Sequence, residues 1–210
     1  LENVRFNSYF TWFEKGVQHL YGHRMPITLE TWETISRQIR EAYAADTNFH
    51  WQALRRAGFE RLVLDAYWDP GSDNGHSEMF RPAFRIDKFM YGFHADAVAP
   101  NDFHPWQRYG FAGGSLGDWA DRMRQIIRGR HAQGKVVALK CAEAYFRPID
   151  FQPDAEAAAR DAFGTPPARL TPAQRLAFGN YIVNRCCELA AELDVPFQIH
   201  TGLGRLSGSR

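Results

Sequence analysis

The feature that most constrains this chain is a cycle that recurs along it: a helix-like segment, a short apolar run, then a polar loop. Gly58 leads into Arg61-Leu62-Val63-Leu64-Asp65-Ala66-Tyr67-Trp68 and the polar stretch 69–76. A helical pattern over 118–131, closed by Gln133-Gly134, leads into Val136-Val137-Ala138-Leu139-Lys140-Cys141. A third, opened by Thr171-Pro172 and running to Leu193, leads into Pro196-Phe197-Gln198-Ile199-His200-Thr201-Gly202. Short apolar runs between helices are how parallel strands read when both faces are covered, and the loops after their C-terminal ends carry the polar side chains. One more strand is expected over 84–93. The fold class is therefore α/β with a parallel sheet, either doubly wound or part of a (β/α)8 barrel. No GxGxxG follows any of these runs, so a dinucleotide-binding sheet has no direct support.

The remaining segments read as helices. Phe6, Phe10, Phe13, Val17, Leu20 and Tyr21 recur at helical spacing over 4–22, a stripe that reads as core packing, and Gly22 stops the run. Thr28 is placed to cap a second helix, with Leu29, Trp32, Ile35, Ile39 and Tyr43 on one face, and 46–57 reads as a third ending at Gly58. Asp118 is expected to cap the helix over 118–131, and the Ala-rich stretch 155–162 reads as a short helix.

Composition excludes several classes of function. With 45% hydrophobic residues in a chain of 210, a sizeable core can be buried. A formal charge of +1, with no basic stripe, offers nothing to a phosphate backbone or an anionic membrane surface. No apolar run approaches the roughly 18 to 20 residues a bilayer requires. The three cysteines include the adjacent pair Cys186 and Cys187 and form no CxxC, which argues against a disulfide framework and a cysteine zinc site, and suits a reducing, cytoplasmic setting. The chain starts without Met and stops just after its last strand and loop, so a piece of a longer protein is expected.

In a parallel sheet the strand C-terminal ends share one side, where Asp65, Tyr67, His94, Lys140, Tyr145, Arg147 and His200 could meet. Lys140 ends an apolar strand, where a lysine is costly unless paired, modified or used. It either holds a substrate carboxylate, ligates metal as a carbamate, or is salt-bridged to Asp65 or Glu143. Arg147 has the fork for a carboxylate, or braces its loop beside Pro148. His200 has a neutral imidazole nitrogen for a metal, or a core hydrogen bond instead, and Thr201 with Gly202 allows close approach of substrate. Asp65 reads equally as a partner orienting a histidine or lysine and as a turn-forming Asp. His76, His94 and His104 read as solvated or structural, and Cys141 as a buried thiol. No GxSxG supports a serine triad.

The strand end from Pro196 to Gly202, together with Val137-Ala138-Leu139-Lys140 and Ala144-Tyr145-Phe146-Arg147, resembles the amidohydrolase superfamily, and within it the amidohydrolase-related metal-dependent hydrolases and decarboxylases. The resemblance implies a (β/α)8 TIM barrel, here partial, covering about strands two to five. Residues 1–210 would form a single barrel domain incomplete at both ends, and 1–57 a helical insertion within it. In that family a divalent metal, often zinc, is held by a His-x-His pair on the first strand, single histidines on the fifth and sixth strands, and an aspartate on the eighth. His200 matches the fifth-strand histidine, and Lys140 the fourth-strand end, where some members carry a carbamylated lysine bridging two metals. No His-x-His occurs in this sequence.

The resemblance implies a metal-dependent hydrolase acting on a C–N, ester or lactone bond of a small, carboxylate-bearing substrate through metal-activated water. His200 and Lys140 would be catalytic and metal-binding, with one or two ions, zinc first. Tyr145, Arg147 and Thr201 would bind substrate. A nonoxidative decarboxylase of an aromatic acid and a non-catalytic carboxylate-binding barrel are the alternatives. The expected partners are a small-molecule substrate and, as an open option, a second copy of the chain, with no nucleic acid and no membrane.

Overall fold

The computed structural model describes residues 2–153 and 156–201. The chain divides into two compact units, residues 1–60 and 61–210.

The first unit is helical. Helix α1 (Ser8–Tyr21) starts where the Asn7 side chain accepts from Tyr9 N–H and stops at Gly22, whose φ of 66° is a left-handed conformation that favours glycine. Helix α2 (Leu29–Ala45) opens with a capping box in which Thr31 takes the place usually held by Glu: Thr28 Oγ1 accepts from Thr31 N–H, and Thr31 Oγ1 accepts from Thr28 N–H. Helix α3 (Phe49–Arg56) follows. The unit's core is Val17, Ile27 and Ile35, with Phe10, Tyr21 and Ile39 against it. The aromatic stripe is thus only partly core, since Phe6 is 98% exposed and Phe13 46%.

The second unit carries a four-stranded parallel sheet in the order β1 (Leu62–Asp65), β2 (Phe80–Arg85), β3 (Ala138–Cys141), β4 (Phe197–Ile199). Among the described residues the order is consecutive, with no point at which it reverses. The short helix α4 (Pro105–Arg108) and α5 (Leu116–Ala132) connect β2 to β3, and α6 (Glu156–Ala162) and α7 (Pro172–Leu193) connect β3 to β4. No helix among the described residues is long and apolar enough to cross a membrane.

Two sequence expectations are corrected. The second strand lies at 80–85, not 84–93; beyond it Asp87–Tyr91 forms a 3-10 turn. Ile86, Phe89, Met90 and Phe93 recur at three- and four-residue steps, which is a helical and not a strand period. Pro82 is tolerated because it stands at the start of the pairing with β3: its carbonyl accepts from Val137 N–H at 3.0 Å, and the residue pairs begin at Ala83 and Ala138, so the missing N–H falls at the ladder's edge. The N-cap of α5 is Ser115, not Asp118; Asp118 is its capping-box partner, accepting from Ser115 N–H at 2.7 Å.

Register assigns the side chains to two faces. Cα partners in a parallel pair project to the same side, and alternate residues to opposite sides. Phe84, Leu139, Cys141, Phe197 and Ile199 therefore share one face, and all belong to or pack against the main core with α5 and α7. Asp65, Arg85, Lys140 and Gln198 end the strands on the other face, and His200 continues that row past β4.

Candidate functional site

The polar row is electrostatically built. Arg85 lies between two carboxylates, with Nε 3.0 Å from Asp65 Oδ1 and Nη1 3.5 Å from Asp87 Oδ2, and its guanidinium covers the Tyr67 ring at 4.5 Å. Asp87 is 4% exposed and accepts Ala142 N–H at 2.8 Å; burial pushes its carboxyl up, against the pull of that N–H and of Arg85. Lys88 Nζ donates to Pro100 O at 2.9 Å and lies 5.0 Å from the Tyr67 ring centre, and burial pushes its ammonium down. Asp65 is thus a salt-bridge partner of Arg85.

Lys140 is 8% exposed, and its Nζ donates to Gln198 Oε1 at 3.0 Å. The bond follows from register, since Lys140 and Gln198 are Cα partners. The pairing to Asp65 or Glu143 weighed from sequence is replaced by this neutral amide, which leaves the ammonium's charge uncompensated by its own partner.

His200 is held by its backbone, N–H to Cys141 O at 2.9 Å, and its ring stacks on Tyr145 with centroids 4.8 Å apart. Its Nε2 is buried without a hydrogen-bond partner. Thr201 is exposed immediately after it, and Gly202 lies outside the described residues. Lys140, Tyr145 and His200 are thereby brought to adjoining strand ends.

Arg147 is not part of that group. Its guanidinium turns to α7, Nη1 donating to Leu176 O at 3.2 Å and Nη2 to Asn180 Oδ1, while Nε donates to Pro148 O. His94 packs against the Trp106 ring and accepts Asp96 N–H at 3.0 Å, a local arrangement. Cys141 is buried in the core, its thiol pushed up to about 12 mainly by burial.

Sequence reasoning gave no site role to Arg85, Asp87, Tyr91, Glu143 or Gln198. Glu143 is 2% exposed; its Oε2 accepts from Tyr91 O–H at 3.0 Å and its Oε1 has no partner. Burial first, then the Asp87 charge, push its carboxyl up to about 8. Position directly after a strand was the one available signal.

Among the described residues no three His, Cys, Asp or Glu side chains gather to hold a metal ion. His200 Nε2, a buried imidazole nitrogen with no other partner, fits one ligand position. Lys140 does not fit one as it stands, because its Nζ is a donor to Gln198.

No protein-family model matches the chain, and no curated protein matches it. Among solved structures, uronate isomerase from Thermotoga maritima is similar to it, with a TM-score of 0.63 at 18% identity. The match covers 96% of this chain and 45% of that one, so this chain spans less than half the length of that protein. The likeness is one of fold, and consecutive parallel strands alternating with helices are consistent with part of a TIM barrel.

Proposed function

We propose that this chain forms part of a metal-dependent (β/α)8 enzyme of the amidohydrolase superfamily that acts on a small carboxylate-bearing substrate. The observation that carries the reading is the row Arg85, Lys140, Gln198 and His200 on the sheet face opposite its apolar core. It combines an ammonium bonded only to a neutral amide with an imidazole nitrogen that has no protein partner. In this reading 1–57 is a helical insertion within the barrel domain.

Lys140 anchors the substrate carboxylate: one ammonium proton is held by Gln198, which fixes the direction of the others. Tyr145, stacked on the imidazole, orients His200 and binds substrate beside it. A divalent metal, zinc first, would take His200 as one ligand with further donors that are not among the described residues, and would supply an activated water for cleavage of a C–N, ester or lactone bond.

Isomerisation of a sugar acid is the second reading, favoured by the similarity in fold to a uronate isomerase. Metal content and turnover, measured on wild type and His200→Ala against N-acyl amino acids, lactones and hexuronates, separate the two. Bond cleavage that falls with metal content supports hydrolysis, whereas aldose–ketose interconversion of a hexuronate replaces it with isomerisation. Metal content and turnover unchanged in His200→Ala would overturn the ligand assignment.

A further inference from the structure

A cavity of about 320 Å³ lies between the turn after β2, the loop after β3 and the first half of α7. Glu143 lines it, together with Met90, Tyr91, Phe146 and Leu176, and none of Lys140, Tyr145, His200 or Thr201 does. We propose that this cavity binds a small, uncharged, mainly apolar molecule carrying one hydroxyl, which gives Glu143 Oε1 the hydrogen-bond partner it lacks.

The size suits a single-ring compound, and apolar walls with one or two placed polar groups are the ordinary composition of a small-molecule site. The polar group here is specific. Glu143 is 2% exposed, Tyr91 O–H already occupies its Oε2, and Oε1 is left without a partner. A buried polar atom left unpaired is costly, and a ligand hydroxyl removes that cost.

Charge selects against ionic ligands. Arg147 and Arg175 line the same cavity and disfavour an ammonium. Three of the five N–H donors of Arg147 are already held, by Leu176 O, Asn180 Oδ1 and Pro148 O, and Arg175 Nη2 donates to Pro167 O, so both guanidiniums are tied to fixed acceptors and neither is free to turn and close on a carboxylate. A hydroxyl is donor and acceptor in one atom and so serves either form of Glu143, donating to the carboxylate or accepting from the acid, and burial keeps both forms within reach near neutral pH.

Gly179 on α7 keeps the room. A Cβ there would collide with Arg147 Nη1 and come within 2.9 Å of the Met90 methyl carbon. The one residue of α7 without a side chain thus stands where the guanidinium and the cavity wall pass.

The test is a titration of the full 210-residue chain, carrying ¹³C-methyl methionine, with p-cresol. Of the four methionines, Met90 lines the cavity, and Met25, in the other unit, is an internal reference. The expected result is a saturable shift of the Met90 methyl signal with Met25 unmoved, and an affinity for p-cresol at least about 5-fold above that for toluene, the size of discrimination one buried hydrogen bond gives. In Glu143→Leu the two probes should bind alike. An unmoved Met90 signal, equal wild-type affinities, a preference that survives Glu143→Leu, or tighter binding of benzylammonium or benzoate would each overturn the proposal. If Glu143→Leu does not fold, the wild-type ratio of p-cresol to toluene decides alone. The readout is binding at Met90, so it is independent of metal content and turnover at His200.

Discussion

Leu139 and Lys140 are adjacent in β3 and both are buried, at 0% and 8% exposure, yet they lie on opposite faces of one sheet. Leu139 joins a continuous apolar cluster with α5 and α7. Lys140 joins a row of polar side chains whose partners are a neutral amide, a guanidinium between two carboxylates, and an imidazole with a free nitrogen. The period of two along a strand separates the tasks: one face supplies cohesion through apolar burial, and the other holds charges at strand ends. The difference teaches that burial alone does not tell a structural residue from a chemical one. The identity of the partner does.

The largest effect should come from the apolar face. Leu139→Ala should cost about 3 kcal/mol, within the range for large-to-small core changes, because the site is fully enclosed on a central strand. Lys140→Met next to it should change stability by less than about 1 kcal/mol, since it removes one hydrogen bond between an ammonium and an amide and relieves a buried charge. Urea midpoints of the two variants measure the contrast, and equal losses would show that the faces are not divided in this way.

Next is the guanidinium that holds the polar row together. Arg85→Met leaves Asp65 and the buried Asp87 without their shared cation, and should cost about 2 kcal/mol. That is below the usual penalty for breaking a buried pair, because the Asp65 side chain is 32% exposed and partly solvated. Adding Asp65→Asn to Arg85→Met should recover part of the loss; a double variant no more stable than the single one would mean that Asp65 and Asp87 do not repel.

The division between faces also decides what sequence could show. β3 and β4 were legible because each is an apolar run after a helix stop, and Lys140 and His200 were legible as polar residues where those runs end. β2 was not: Arg81, Pro82 and Arg85 interrupt its apolar pattern, and the apolar residues that follow belong to a turn. Its charged end belongs to the polar row, so the feature that sets Arg85 between Asp65 and Asp87 hid the strand. Gln198 stood inside the recognised stretch, but its role needs the register of β3 against β4, which is a tertiary fact. Likewise, whether Glu143 is solvated or enclosed depends on Tyr91, Arg147 and α7 closing over it.

Acidic residues behind the polar row should give stability an unusual pH slope. Burial and the neighbouring Asp87 charge push the Glu143 carboxyl up to about 8 in the folded chain, and burial raises Asp87 as well; Tyr91, Arg147 and Lys88 face Glu143, and Arg85 and Lys88 face Asp87, and all of them pull the carboxyls back down without cancelling the shift. A raised carboxyl keeps its proton in the folded state while the unfolded chain has released it. Stability is therefore greatest at the acid end of the window, falls as pH rises from about 5 to about 8, and levels off above. The slope is at most about 1.4 kcal/mol per pH unit for each retained proton. Urea midpoints from pH 5 to 9 check the sign, and Glu143→Gln should flatten the curve. Stability that rises over this range would mean that Glu143 is charged in the folded chain.

The smallest effect on stability is expected at His200. Its side chain forms no hydrogen bond through Nε2, and what His200→Ala removes is the stack on Tyr145 and the burial of one ring, since the bond from His200 N–H to Cys141 O belongs to the backbone and stays. A ring pair is worth about 0.5 to 1.5 kcal/mol, and relief of an unpartnered buried nitrogen offsets part of it, so the net loss should be below about 1 kcal/mol. Thermal unfolding of metal-free wild type and His200→Ala gives the number. A loss as large as that of Leu139→Ala would make His200 a core residue and return the polar face to a structural role. A loss this small, joined to a fall in bound metal, separates the chemistry of that face from the cohesion of the other.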